Sequence, residues 1–162
     1  MSLVRRLGRE LKNYSLKMLS KLDALKGTPQ SIANGFATGV AVSFTPFVGF
    51  HILISLTIAK ILKQNRVAAT LGTIIGNPWT FPFIWWATLH TGNFLLYGVK
   101  YPHVVSFILL FKELFHMVIT LDFNRFISDI YPVFMPMLVG SIPYCMVMWY
   151  LFSKLIYKSL KK

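Results

Sequence analysis

Acidic side chains are nearly missing. Asp and Glu together number five against seventeen Lys and Arg, a formal net charge of +12. The five are Glu10, Asp23, Glu113, Asp122 and Asp129, and no two of them pair as a general acid and base. Cysteine is represented by Cys145 alone, so no intrachain disulfide can form; in its apolar run it reads as a small packing hydrophobe. A phosphate-cradling glycine loop, an H-E-x-x-H pair and a nucleophile elbow are all missing. The histidines His51, His90, His103 and His116 have no metal-ligand spacing on any one helix. Charge is scarce too: 14% of the 162 residues are charged and 55% are hydrophobic, with a mean hydropathy of +0.58. A soluble domain is about one-quarter charged. A surface this apolar is better suited to a bilayer than to water.

Nor is there an early uninterrupted apolar run of the length that one crossing needs, about 20 residues. From Ile32 to Leu62 the chain is apolar, but Thr45-Pro46-Phe47-Val48-Gly49 interrupts it. The pattern returns from 67 to 97. An apolar arm reaches Gly76, Asn77-Pro78-Trp79-Thr80-Phe81-Pro82 breaks it, and Phe83 to Leu96 resumes. Each break fits either a hairpin dipping into the bilayer or one long broken helix. The offset from Pro46 to Pro78 also aligns Ala37 with Ala69, Thr38 with Thr70 and Ile52 with Ile84. Helix, polar proline break and helix, twice over, suggests an internal duplication.

The cations are clustered. Arg5, Arg6, Arg9, Lys12, Lys17, Lys21 and Lys26 precede the apolar blocks, Lys60, Lys63 and Arg66 sit between them, and Lys154, Lys158, Lys161 and Lys162 follow. Basic clusters flanking apolar segments mark cytoplasmic loops. No groove-reading motif accompanies them, so nucleic acid is not an expected partner. Residues 3 to 25 carry Val4, Leu7, Leu11, Tyr14, Met18, Leu22 and Leu25 at steps of three and four, which predicts an amphipathic helix. Its cationic face suits the interface of an anionic membrane; a solvated cap and an organelle transit peptide are the other readings. Gly27 can end it, with Thr28 as N-cap and Pro29 as first residue of the next helix.

Small residues recur every fourth position in both first arms: Ser31, Gly35, Gly39 and Ser43, then Ala68, Gly72 and Gly76. Such stripes let helix backbones approach closely in lipid, which makes the two arms natural partners. Proline removes a donor and frees the carbonyl one turn earlier. Pro46 frees that of Val42, Pro78 that of Ile74, and Pro82 that of Pro78. Thr45, Asn77 and Thr80 are the side chains placed to compensate. The same breaks start new half-helices whose N–H groups carry partial positive charge. A shared polar membrane site is therefore expected around Thr45, Pro46, Gly49, His51, Asn77, Pro78, Thr80 and Pro82, suited to an amphiphile with a phosphate head. His51 reads either as a ligand there or as a hydrogen-bonded packing residue. Lys112, Glu113 and His116 interrupt an apolar stretch that fits an interfacial helix or a membrane helix with an internal ion pair. Pro132, Pro136 and Pro143 are expected to perturb a final segment long enough to span.

The string G-F-A-T-G-V-A-V-S-F-T-P-F-V-G-F-H from Gly35, followed by A-A-T-L-G-T-I-I-G-N-P-W-T-F-P, resembles the bacterial family known as domain of unknown function 2062. The resemblance rests on Pro46 with Gly49 and on Asn77, Pro78, Thr80 and Pro82, and covers nearly all of the chain after residue 27. It implies a small bacterial membrane protein. Some members are joined to glycosyltransferase-like or methyltransferase-like domains, which implies a link to envelope assembly.

The expected architecture is an all-α integral membrane protein: a basic interfacial helix over 1–27, then one membrane domain over 28–162 with two proline-broken hairpins and a C-terminal transmembrane helix. The expected place is the bacterial inner membrane, multi-pass, with both termini cytoplasmic. The expected partners are membrane lipids with anionic headgroups, and a second copy or an envelope enzyme. No cofactor, metal or catalytic residue is expected. Transport or handling of an anionic lipid or small solute competes with a scaffold role for an envelope-biogenesis enzyme.

Overall fold

A computed structural model describes residues 2–47, 49–98 and 131–161. Among them the chain is all-helical: α1 (Ser2–Asp23), α2 (Pro29–Val42), α3 (His51–Ile61), α4 (Arg66–Gly72) prolonged by a 3-10 turn (Thr73–Ile75), α5 (Phe81–Tyr97) and α6 (Tyr131–Leu160). Of these, α6 alone is long and apolar enough to cross a membrane. The helix continues through Pro136 and Pro143. The expectations for Lys112, Glu113 and His116, and for Asp122 and Asp129, lie outside the described residues.

Side-chain caps set two of the helix starts. The Thr28 hydroxyl accepts from the Ser31 N–H at 3.2 Å, and Pro29 follows where a donor is not needed. Asn65 starts α4: its Oδ1 accepts from the Ala68 N–H at 2.9 Å. The same residue donates from Nδ2 to the Lys26 carbonyl at 2.9 Å and from its backbone N–H to the Ser31 carbonyl at 3.1 Å. One asparagine thereby fixes the end of the α1–α2 connection, the first turn of α2 and the start of α4 at the same end of the molecule.

α2 is the centre of the molecule. Residues from Ile32 to Val42 are buried nearly without interruption, the pattern of a helix covered on every side. α6 runs antiparallel along one side. Ser153 Oγ donates to Asn34 Oδ1 at 2.6 Å, Trp149 Nε1 to Thr38 Oγ1 at 3.1 Å, and Cys145 Sγ to the Ala41 carbonyl at 3.1 Å. α4 runs parallel along a second side, and α3 returns along a third. Leu22 of α1 closes the basic end, fully buried against Ile32 and Ile156. Arg6, Arg9, Lys17 and Lys21 on the same helix are exposed.

The two proline breaks lead to different outcomes. After the first, α3 packs on α2 and α4. After the second, α5 leaves that group and packs on the N-terminal half of α6. Gly92 meets Pro136, Gly140 meets Thr88, and Thr91 Oγ1 lies 3.0 Å from Tyr144 Oη. α4 and α5 have different main partners, α2 for the one and α6 for the other. Along α6, α2 occupies the stretch from about residue 156 back to 144, and α5 takes over from there to 133.

Candidate functional site: the junction of the two breaks

The first break opens with Ser43, whose N–H still reaches the Gly39 and Val40 carbonyls. The carbonyl of Val42, which Pro46 cannot serve, accepts twice from Thr45: from its N–H at 3.0 Å and from its hydroxyl at 2.7 Å. Pro46 is buried, while Gly49 stands at φ 84, a left-handed conformation that favours glycine. His51 opens α3. It is buried, its Nε2 lies 3.3 Å from the Thr45 carbonyl, and its ring stacks on Phe81 with centroids 5.4 Å apart.

The second break is organised around Asn77. Its Oδ1 accepts from the Trp79 and Thr80 N–H groups at 3.0 and 3.1 Å. Its Nδ2 donates to the Ile74 carbonyl, the one freed by Pro78, at 3.4 Å. The Thr80 hydroxyl donates to the Ile75 carbonyl at 2.6 Å and accepts from the Asn77 N–H at 3.0 Å. Pro78 is exposed, and Pro82 is an exposed residue in the first turn of α5, where its lost donor is not needed.

The two breaks touch. Ser43 Oγ donates to the Gly39 carbonyl at 3.0 Å and reaches the Thr73 carbonyl at 3.3 Å. A Cβ built on Gly76 would stand 2.8 Å from that of Ser43. His51 meets Phe81 across the junction, and the starts of α3 and α5 are therefore neighbours. The polar side chains singled out by the sequence do not bond to one another across it. Thr45 serves the first break, while Asn77 and Thr80 serve the second. The contact is made by Ser43 with Thr73 and Gly76 and by His51 with Phe81, and of these only His51 is among the site residues expected from the sequence.

The stripe glycines lie where α2 meets α4. A Cβ on Gly35 would collide with the Asn65 backbone, one on Gly39 with the Ala69 carbonyl and Gly72, and one on Gly72 with the Phe36 carbonyl and Gly39. A second close crossing escaped the sequence reading: a Cβ on Gly92 would collide with the Pro136 carbonyl, and one on Gly140 with the Thr88 carbonyl. The available signal was Thr88-x-x-x-Gly92 on α5 and Pro136-x-x-x-Gly140 on α6.

From the first break a groove of about 550 Å³ runs between α2, α3 and α6, with Thr45 and Val42 at one end and Leu62, Trp149 and Tyr150 lining the rest with Met146. The polar side-chain atoms of Thr38, Thr45, Cys145 and Trp149 along it have protein partners. Trp149 Nε1 donates to Thr38 Oγ1, Thr38 Oγ1 donates to Gln64 Oε1 at 2.6 Å, and Cys145 donates to the Ala41 carbonyl. Its walls are overwhelmingly apolar.

The family described as "Uncharacterized protein conserved in bacteria (DUF2062)" matches residues 13–162. The chain belongs to this family. No curated protein and no solved structure matches it. The match of this DUF2062 chain spans both breaks, the basic gap between them and the whole of α6. Among its described residues there is no group of three or more His, Cys, Asp or Glu side chains placed to hold a metal ion.

Proposed function

We propose that the chain is a multi-pass protein of the bacterial inner membrane that binds and orients an anionic lipid from the cytoplasmic side. The observation that carries this reading is the course of the helices through the junction. α6 offers 30 residues, about 45 Å at 1.5 Å per residue, against a hydrocarbon core of about 30 Å. α2 enters from the end where Lys26, Lys63 and Lys154 lie, stops near the middle of α6 where Phe44 stacks on Tyr144, and α3 returns. α4 enters from the same end, and α5 continues past the junction towards Tyr131. The first segment is then re-entrant and the second crosses.

Irregular backbone at membrane depth needs its polar groups served from within the protein; here Thr45 serves the Val42 carbonyl and Asn77 the Ile74 carbonyl, and the two breaks meet through Ser43 and His51. Exposed Ile142, Met146, Val147, Tyr150, Leu151 and Leu155 give α6 a continuous apolar stripe suited to lipid. Basic residues of the 60–66 gap and of the C-terminal turn share one end, and the positive-inside rule supports a cytoplasmic side for that end and for both termini. α1 lies against that end as an interfacial helix.

Handling of a lipid rather than of a water-soluble solute follows from the wall chemistry. The groove beside the junction is apolar, and cations gather at its outer end. The starts of α3 and α5 add partial positive charge at the junction itself, where Thr45, Pro46, Gly49, His51, Asn77, Pro78, Thr80 and Pro82 form the frame of the site. Extraction in mild detergent tests this. The purified chain should carry phosphatidylglycerol or another anionic phospholipid at least threefold above its share of the host membrane. A bound fraction that mirrors the membrane would refute the reading.

A second reading, a membrane scaffold for an envelope-biogenesis enzyme or a second copy, is favoured by one feature of α5. Phe83, Trp86 and Phe94 are exposed on it at helical spacing, and Trp79 is exposed in the turn before it. Under that reading, Phe83→Ala with Trp86→Ala strips a stoichiometric partner from the gently extracted protein.

A further inference from the structure

Resting on that reading, we infer that the groove between α2, α3 and α6 seats one acyl chain of an anionic phospholipid of the cytoplasmic leaflet, with the phosphate held at its rim by Lys154 and Lys63. The volume, about 550 Å³, falls within the range of small-molecule sites, about 300–1,000 Å³. The groove is open along its side and reaches Thr45 and Val42 at the first break, so a chain laid in it from the basic end runs down to the middle of α6.

The walls select the occupant. Val42, Ile58, Leu62 and Met146 present hydrocarbon. Thr38, Cys145 and Trp149 turn their polar atoms to protein partners. A sugar or a peptide backbone would have to give up its hydrogen bonds to water without replacement, at a cost that an alkyl chain avoids.

The rim supplies the charge. Tyr150 lines the groove, and Lys154 Nζ stands 4.6 Å from the centroid of its ring, which holds the ammonium at the mouth. Lys63 lies between Leu62, a lining residue, and Gln64, which is bonded to Thr38; it is exposed and has the left-handed φ of 54. None of the helices α2 to α6 contains an Asp or Glu. The rim cations therefore have no carboxylate on the elements that form the groove, and a lipid phosphate at the cytoplasmic interface complements them. A partner helix would have to bring its own acids to the same level.

Native mass spectrometry of the full chain, released from micelles containing phosphatidylglycerol and phosphatidylethanolamine in equal amounts, tests the assignment. The parent should retain one phosphatidylglycerol in preference to phosphatidylethanolamine. Met146→Trp fills the groove from an exposed position and should lower retention at least fivefold. Lys154→Gln should abolish the preference between headgroups while keeping the parental melting curve. Lys161→Gln, whose ammonium sits over Tyr157 instead, should leave both unchanged. If the parent prefers phosphatidylglycerol and Met146→Trp and Lys154→Gln bind it as the parent does, the groove assignment is overturned and the broader lipid reading stands. A parent without preference overturns both. A Met146→Trp protein that passes from dimer to monomer with its lipid unchanged would show that a second copy fills the groove, and would overturn the assignment as well.

Discussion

The side-chain amide of Asn77 accepts from two backbone N–H groups and donates to the carbonyl that Pro78 deprives of its helical partner. Asn77→Ala leaves all three without that partner beside an apolar junction. Two of the three bonds are exposed to their surroundings, and the Thr80 N–H keeps the Asn77 carbonyl as a second acceptor, so the loss is that of a cap, about 0.5–2 kcal/mol. Asn77→Ala is therefore expected to lower stability by about 1 kcal/mol. Asn77→Asp keeps the acceptor and loses only the donor, and should fall between the two. Thermal midpoints in detergent give the ranking, and an Asn77→Ala protein that melts with the parent contradicts it. This compensation was legible in the sequence because it is local: proline acts four residues back, and Thr45, Asn77 and Thr80 stand within reach. The stacking of His51 on Phe81 was not legible. It joins rings thirty positions apart, and no local spacing encodes which ring a buried histidine meets.

The parallel contact of α2 with α4 has no room for a side chain at its centre. Gly39 and Gly72 each face the other's backbone, and backbone cannot give way as the end of a flexible side chain can. Gly39→Leu and Gly72→Leu are expected to cost about 3 kcal/mol or more, the upper part of the range for overpacking, and to remove most of the folded protein from a detergent extract. Gly8→Ala is the contrasting change. Nothing lies within 4 Å of a Cβ there, and alanine is favoured over glycine in a helix by up to about 1 kcal/mol, so folded yield should hold or rise. If both leucine variants accumulate as Gly8→Ala does, α2 and α4 do not pack as described. The stripe on these helices is visible in the sequence because Gly35, Gly39, Gly72 and Gly76 repeat at steps of four. The α5–α6 crossing uses one glycine on each side, Gly92 and Gly140, with Thr88 and Pro136 opposite them, and a single glycine per helix makes no stripe.

The repeat of helix, break and helix suggests equal fates for the two halves, and the structure gives them unequal ones. What differs is the partner beyond each break. α3 finds α2 and α4, which are its neighbours in sequence. α5 finds α6, whose Tyr144 is separated by 53 positions from Thr91. The pattern of a proline break records that a helix stops and restarts; it holds no information on a partner so far along the chain. Helical class, the break positions, the basic ends and the long last helix were therefore readable from the residues, whereas the direction taken by α5 was not. The central claim is that the first broken segment returns to the basic end and the second goes through. Single cysteines placed by Lys63→Cys, Tyr97→Cys and Lys161→Cys in a Cys145→Ser background, probed on intact cells with a membrane-impermeant maleimide, test it most directly. The account predicts labelling at position 97 from outside, and at 63 and 161 only after the membrane is opened. Protection of 97 together with 63 and 161, or labelling of 63 from outside, would contradict it.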